Sequence, residues 1–203
     1  MSKRAEEVRQ AAEEAAGSKK LMKQHVENLE SSSRRERQNS AAVLAEVARM
    51  DAALVVPYGS ELVEALEKPE AQTRWEALDA LTEICAKDSR VCDKALSGAE
   101  NALYDEDSGP LRLASMRFLC TLGATTENRS EKVWPLVDEG IQCYHGDVEF
   151  NEMLLALIEF STGKLAPSVK EEFAARMKFD ADNGKGTLGK RAKQIEANLS
   201  KKK

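Results

Sequence analysis

Arg37-Gln38-Asn39-Ser40-Ala41-Ala42-Val43-Leu44, Arg74-Trp75-Glu76-Ala77-Leu78-Asp79-Ala80-Leu81 and Arg112-Leu113-Ala114-Ser115-Met116-Arg117-Phe118-Leu119 are three copies of one pattern. Each reads Arg, two variable residues, a small residue, an apolar one, two variable residues, Leu, and the copies are 37 and 38 residues apart. A fourth copy starts 38 residues further on, at Phe150, and keeps Met153, Leu154 and Leu157 but loses the Arg. Self-similarity at a fixed period of this length marks an array of stacked supersecondary units, none of which buries its apolar face alone.

The second half of each unit repeats in the same register. Tyr58, Leu62, Ala65 and Leu66 align with Ala95, Ala99, Ala102 and Leu103, then with Val133, Val137, Gly140 and Ile141, and after a one-residue slip with Val169, Phe173 and Met177. Spacings of three and four residues put each set on one face of a helix. One period before the first copy stand Leu21, His25 and Leu29, so residues 1–31 read as a degenerate first repeat. Each unit is therefore predicted to be two amphipathic helices. The first helices run over about 34–49, 71–86, 110–122 and 148–161, and the second over about 55–67, 90–104, 131–144 and 166–178. Ser31 to Ser33 and Asp107-Ser108-Gly109-Pro110 supply caps, and the five prolines are expected between helices or in first helical turns. Leu188, Ala192, Ile195 and Leu199 predict one more amphipathic helix, in a basic C-terminal segment 179–203 that follows the array of 1–178.

Composition agrees with an all-α chain. Of 203 residues, 28 are Ala and 21 Leu, against 12 Val and four Ile, which favours helix over strand. The longest apolar run is six residues, Met153 to Ile158, far short of the ~20 that a membrane span needs. The Met-Ser-Lys-Arg-Ala-Glu-Glu start has no apolar stretch behind its basic residues, so a cytoplasmic protein is expected.

The two-helix unit, the Leu111-Arg112 opening of a first helix, the small and Leu positions after it, and acidic turns such as Asp105-Glu106-Asp107 resemble the HEAT repeat class of armadillo-like α-solenoids over about residues 20–178. The pattern departs from that class by lacking a proline inside the first helix, by carrying Glu36 and Thr73 before the Arg, and by placing Phe150 where the last Arg belongs. The resemblance implies a right-handed α-α superhelix of four to five repeats, with second helices lining a concave groove. It also implies a scaffold or adaptor that binds protein.

The net charge of −5 is unevenly spread: residues 1–40 carry +2, residues 41–163 carry −13, and residues 164–203 carry +6. An acidic body favours a basic protein partner and disfavours nonspecific contact with nucleic acid. If second helices line a groove, Glu61, Glu64, Glu100, Asp138 and Glu139, with Glu27, Glu171 and Glu172 beyond them, form an acidic strip able to steer a Lys/Arg-rich segment. The in-register Arg37, Arg74 and Arg112 are expected to be structural, each fork of donors reaching an acidic turn or carbonyls of an adjacent repeat.

Several motifs compete with this reading and are weaker. Gly184-Lys185-Gly186-Thr187-Leu188-Gly189-Lys190-Arg191 fits G-x-G-x-x-G, but a helix rather than a strand precedes it, and Arg191 stands where a phosphate loop needs Ser or Thr. Asp180-Ala181-Asp182-Asn183-Gly184 begins like a calcium loop but has Lys185 and Arg191 at the sixth and twelfth positions. Cys85, Cys92, Cys120 and Cys143 lack zinc spacing and are expected as buried reduced thiols. His25 and His145 are far apart, and no nucleophile–base motif is present, so neither catalysis, metal nor cofactor is expected. The expected function is non-catalytic protein binding. The alternative is a nucleic-acid-binding HEAT-like protein such as a DNA-repair glycosylase, which would need cations on second helices, where Lys94 and Lys132 are the candidates.

Overall fold

A computed structural model describes residues 3–201; Met1, Ser2, Lys202 and Lys203, the ends of the two expected segments, lie outside the described residues. No strand occurs among residues 3–201. The helices are α1 (Lys3–Ala16), α2 (Lys19–Glu27), α3 (Arg34–Met50), α4 (Gly59–Glu64), α5 (Ala71–Cys85), α6 (Ser89–Cys92), α7 (Leu96–Leu103), α8 (Gly109–Gly123), α9 (Glu127–Tyr144), α10 (Phe150–Ser161), α11 (Pro167–Asn183) and α12 (Gly186–Leu199). None is long and apolar enough to cross a membrane.

Local chemistry sets the helix starts. Ser18, Ser33, Ser108 and Thr126 hydroxyls accept from the backbone N–H three residues on, at Leu21, Glu36, Leu111 and Arg129, and so satisfy donors the helix leaves orphaned. Ser31 adds an O–H donated to the Glu36 carboxylate at 2.5 Å. Pro167 opens α11, where its missing N–H removes nothing.

The repeat positions are the core. Ser40, Ala41 and Leu44, Ala77, Leu78 and Leu81, Ser115, Met116 and Leu119, and Phe150, Met153, Leu154 and Leu157 are all buried. In the N-terminal copy the buried stripe is Met22, Val26 and Leu29, while Leu21 and His25 are only half-buried, one step off the expected register.

The chain divides into two compact units, Met1–Ser115 and Met116–Lys203, at a point inside α8. In the first, α1, α3 and α5 pack side by side, α2 lies against α1 and α3, and α4 against α5. In the second, α11 packs on α9 and on α12, and α12 on α10. Alternate helices thus sit next to each other, as stacking of two-helix units requires.

Three expectations are corrected. The second helices expected over 55–67 and 90–104 are broken into short pieces: a 3-10 turn Val56–Tyr58, α4 and a 3-10 turn Ala65–Glu67, then α6, a 3-10 turn Asp93–Ala95 and α7. A Cβ on Gly59 would lie 2.9 Å from Val91 side-chain carbons and one on Gly98 2.7 Å from Leu66 Cδ1, so the two segments approach closely and a side chain at either glycine would overlap its neighbour. Pro135 lies well inside α9 rather than near a helix start, because Thr126 caps the helix at Glu127, earlier than expected. Pro135 and Glu131 are both exposed, so the carbonyl that loses its N–H partner is left to solvent. Cys143 is exposed, whereas Cys85, Cys92 and Cys120 are buried free thiols; burial pushes the Cys120 thiol up, which keeps it protonated.

Candidate binding surface

The register arginines occupy the first turns of α3, α5 and α8. Arg37 donates from Nε to Glu70 Oε2 at 3.2 Å, from Nη2 to Glu70 Oε1, and from Nη1 to the Ser31 carbonyl at 2.6 Å. Glu70 is the residue that caps α5, and its side chain is only 6% exposed. Hydrogen bonding from Arg37 holds the Glu70 carboxyl below the usual carboxylate range against the opposing pull of burial, and Glu70 in turn pushes the Arg37 guanidinium up. Arg74 Nη1 donates to Asp105 Oδ2 at 3.3 Å, and Arg112 Nη1 to the Asp105 and Glu106 carbonyls at 2.9 and 3.2 Å. Each fork therefore reaches an acidic turn, and Asp105 joins two of them.

The fourth register position holds buried Phe150, against which the His145 ring packs at 5.0 Å. His145 Nε2 lies 3.1 Å from both carboxylate oxygens of Asp180, which is 6% exposed.

The five candidate partner-binding acids are not equivalent. Glu61 and Glu64 sit on α4, three residues apart on neighbouring helix positions, with Glu64 exposed and Glu61 half-exposed. Glu100 is exposed on α7, whose Gly98 abuts Leu66 in the turn that follows α4. No side-chain hydrogen bond or ion pair of Glu61, Glu64 or Glu100 occurs among the described residues. Asp138 is different: Arg176 donates to its two oxygens from Nε at 2.5 Å and Nη2 at 2.9 Å, and Gln142 adds a bond at 3.0 Å. Glu139 is exposed on α9. Of the acids beyond these, Glu27 pairs with Lys23 at 3.5 Å, and Glu172 accepts from Trp134 Nε1 at 2.6 Å. The second-helix cations Lys94 and Lys132 are exposed, one in each compact unit.

The remaining motifs fall into structural places. Gly184 and Lys185 alone join α11 to α12, and the Gly184 carbonyl lies so close to Gly189 that a side chain there would overlap it. Asp180 faces His145, and Asp182 pairs with Lys178 at 3.0 Å. His25 Nδ1 meets the buried Ser40 hydroxyl at 3.1 Å, and burial pulls its pKa down. Among the described residues no group of three His, Cys, Asp or Glu is placed to hold a metal ion.

The repeat register does not reveal one further group. Arg49 on α3 donates from Nη1 to Glu46 and from Nη2 to Asp79, each at 2.9 Å, with Glu76 4.0 Å away. These side chains border a cavity of about 400 Å³ that Trp75 and residues of α1 complete. The only sequence signal was the presence of Trp75, Glu76 and Asp79 at the variable positions of the second copy.

No protein-family profile matches the sequence, and no curated protein matches it. Solved structures do. A designed armadillo repeat protein in complex with the peptide (KR)4 superposes with a TM-score of 0.73 at 14% identity, over 95% of this chain and 91% of that one. A computationally designed armadillo repeat protein for modular peptide recognition gives 0.70 at 16% identity, over 94% and 91% of the two chains. A crystal structure of an engineered protein gives 0.71 at 17% identity, over 96% and 89%. At these identities the likeness is one of fold: the chain has an all-α, armadillo/HEAT-like helical-repeat fold.

Proposed function

We propose that the chain is a non-catalytic binding scaffold whose second-helix carboxylates Glu61, Glu64 and Glu100 hold a Lys/Arg-rich segment of a protein partner. The observation that carries this is that, among the described residues, no cation pairs with the side chains of these three acids, in a body that carries −13 over residues 41–163. Carboxylates already matched within the chain, such as Asp138 on Arg176, have less to gain from a new cation. The (KR)4 complex of a designed armadillo repeat protein supports the reading, because that peptide is built of cations and the fold is shared.

The test is binding of a fluorescein-labelled (KR)4 peptide to the full chain, followed by anisotropy. Binding is expected at low salt, and the affinity should fall steeply as salt screens the contact. The triple variant E61K/E64K/E100K should lose it, with helicity unchanged by circular dichroism. Equal binding by the triple variant, or none by the wild type at low salt, refutes the proposal. Duplex DNA serves as the competing ligand: preferential binding of DNA over (KR)4 would favour the nucleic-acid reading instead.

A further inference from the structure

The cavity on the first helices of the Met1–Ser115 unit has a chemistry separate from the second-helix acids. Its lining includes Glu46 and Arg49 of α3 and Glu76 and Asp79 of α5, where three carboxylates share one guanidinium. The two nitrogens of Arg49 nearest them are spent on Glu46 and Asp79. Glu76, whose side chain is 15% exposed, has that guanidinium only at 4.0 Å and a hydrogen bond from the Trp75 side chain, which together do not offset its burial. Burial first, and repulsion from Asp79 second, push its carboxyl up, which is the expected response of an under-compensated acid.

The walls supply what an organic cation needs besides charge. Trp75 presents a half-exposed indole, and Val8 of α1 and Ala42 of α3 add apolar surface. Two cations stand at the rim on α1. Arg9 is engaged by Glu13 at 3.3 Å, and Arg4 is exposed, with a weak influence on Glu76. A volume of about 400 Å³ is in the range of small-ligand sites, which are apolar cavities with a few convergent polar groups. An aromatic face beside a poorly matched carboxylate is the arrangement that attracts ammonium and guanidinium groups, through the ring quadrupole and the charge together.

We propose that this cavity binds a small organic cation, an ammonium or guanidinium group on a short apolar stem, with Trp75 against the stem or the charge and Glu76 as its counter-ion. The cation has two sources: a free amine, or an Arg or Lys side chain presented by a peptide. This site stands independently of the second-helix reading, since none of its residues belongs to that surface.

The experiment follows the indole ¹⁵N–¹H signals of Trp75 and Trp134 in the full chain, assigned with a W75F variant. Agmatine is titrated against sodium chloride at matched ionic strength, with capped Gly-Arg-Gly peptide as a second arm. A saturable shift of the Trp75 signal, with that of Trp134 unmoved, is expected for agmatine. Response to agmatine alone identifies a free amine as the ligand, and response to both identifies a side chain. E76Q, an isosteric change that removes the charge of a buried acid, should weaken binding about tenfold or more, the size of one hydrogen bond to a charged group. Acidification should weaken it as well. Glu76, whose pKa burial raises, loses its charge as the pH falls, while Arg49 stays cationic; the other charged groups that face it are Glu46 of α3, Asp79 of α5, and Arg4 and Arg9 of α1. Absence of a saturable Trp75 shift, an unchanged affinity in E76Q, or a shift produced by acetate in place of agmatine overturns the proposal.

Discussion

All five phenylalanines of the chain lie in Met116–Lys203, whereas 20 of its 28 alanines lie in Met1–Ser115. The two units bury the same repeat register with different side chains. In the second, Phe160, Phe173 and Trp134 form one cluster, with ring centroids 5.1 to 6.4 Å apart, and the second helices α9 and α11 are continuous. In the first, no phenylalanine is available, and helices close on one another through Ala and Gly, as where Gly98 abuts Leu66. Small residues permit close approach but remove little apolar area per residue, while each buried ring removes roughly 150–250 Å². The Arg37–Glu70 and Arg74–Asp105 pairs belong to the alanine-rich unit, where a charged fork can hold a turn that packing alone holds weakly. The repeat specifies positions, and the residue classes filling them decide whether a unit has aromatic rings to fasten it; ion pairs such as Arg37–Glu70 and Arg176–Asp138 occur in both units.

The ring side of this contrast predicts the largest effect. Phe173→Ala removes a fully buried ring from the cluster and should lower stability by about 3–5 kcal/mol, measured by chemical denaturation of the full chain. A loss below about 1 kcal/mol would mean that the aromatic cluster is not what fastens the second unit. The next effect comes from a polar pair in that unit, His145 and Asp180, that stands beside the Phe150 ring. His145→Ala leaves the buried Asp180 carboxylate without its imidazole partner and should cost about 1–3 kcal/mol. The double change His145→Ala/Asp180→Ala should recover part of that loss, since it removes the stranded acid as well. A double variant less stable than the single one would show that Asp180 is satisfied without His145.

What could be read in the sequence follows the same division between position and partner. The four copies predict their own core, because a helical period records which residues face inward whatever they touch: Ala41, Leu78, Met116 and Leu154 share one register position and all are buried. Partners across the period were not legible. Asp138 and Glu100 have the same helical offset and the same chemistry, yet Asp138 is held by Arg176, 38 residues away, and among the described residues Glu100 has no such cation. The close approaches of Val91 to Gly59 and of Leu66 to Gly98 are contacts across a period that no local propensity encodes. The cavity beside Trp75 needs α1, whose sequence carries no copy of the register motif.

The smallest effect, and the one that discriminates most sharply between the two ways of fastening a unit, concerns acid. Glu70 titrates below the ordinary carboxylate value because Arg37 bonds its charged form. Its folded pKa is therefore lower than its unfolded one, and the stabilisation it gives is complete above about pH 4.5 and disappears as pH falls through the folded value. Arg37→Met keeps an apolar stem but removes the fork, so the variant should be less stable than the wild type near neutral pH. The gap should narrow as the solution is acidified, because protonated Glu70 has no charge for Arg37 to hold. All other carboxylates are common to both chains, and their effects cancel to first order in the difference. Phe173→Ala changes no ionisable group, so its gap to the wild type should stay level over the same range. Thermal unfolding of the three chains between about pH 3 and pH 7 makes the measurement. A gap for Arg37→Met as flat as that for Phe173→Ala would show that Arg37 contributes through its stem's packing and not through Glu70.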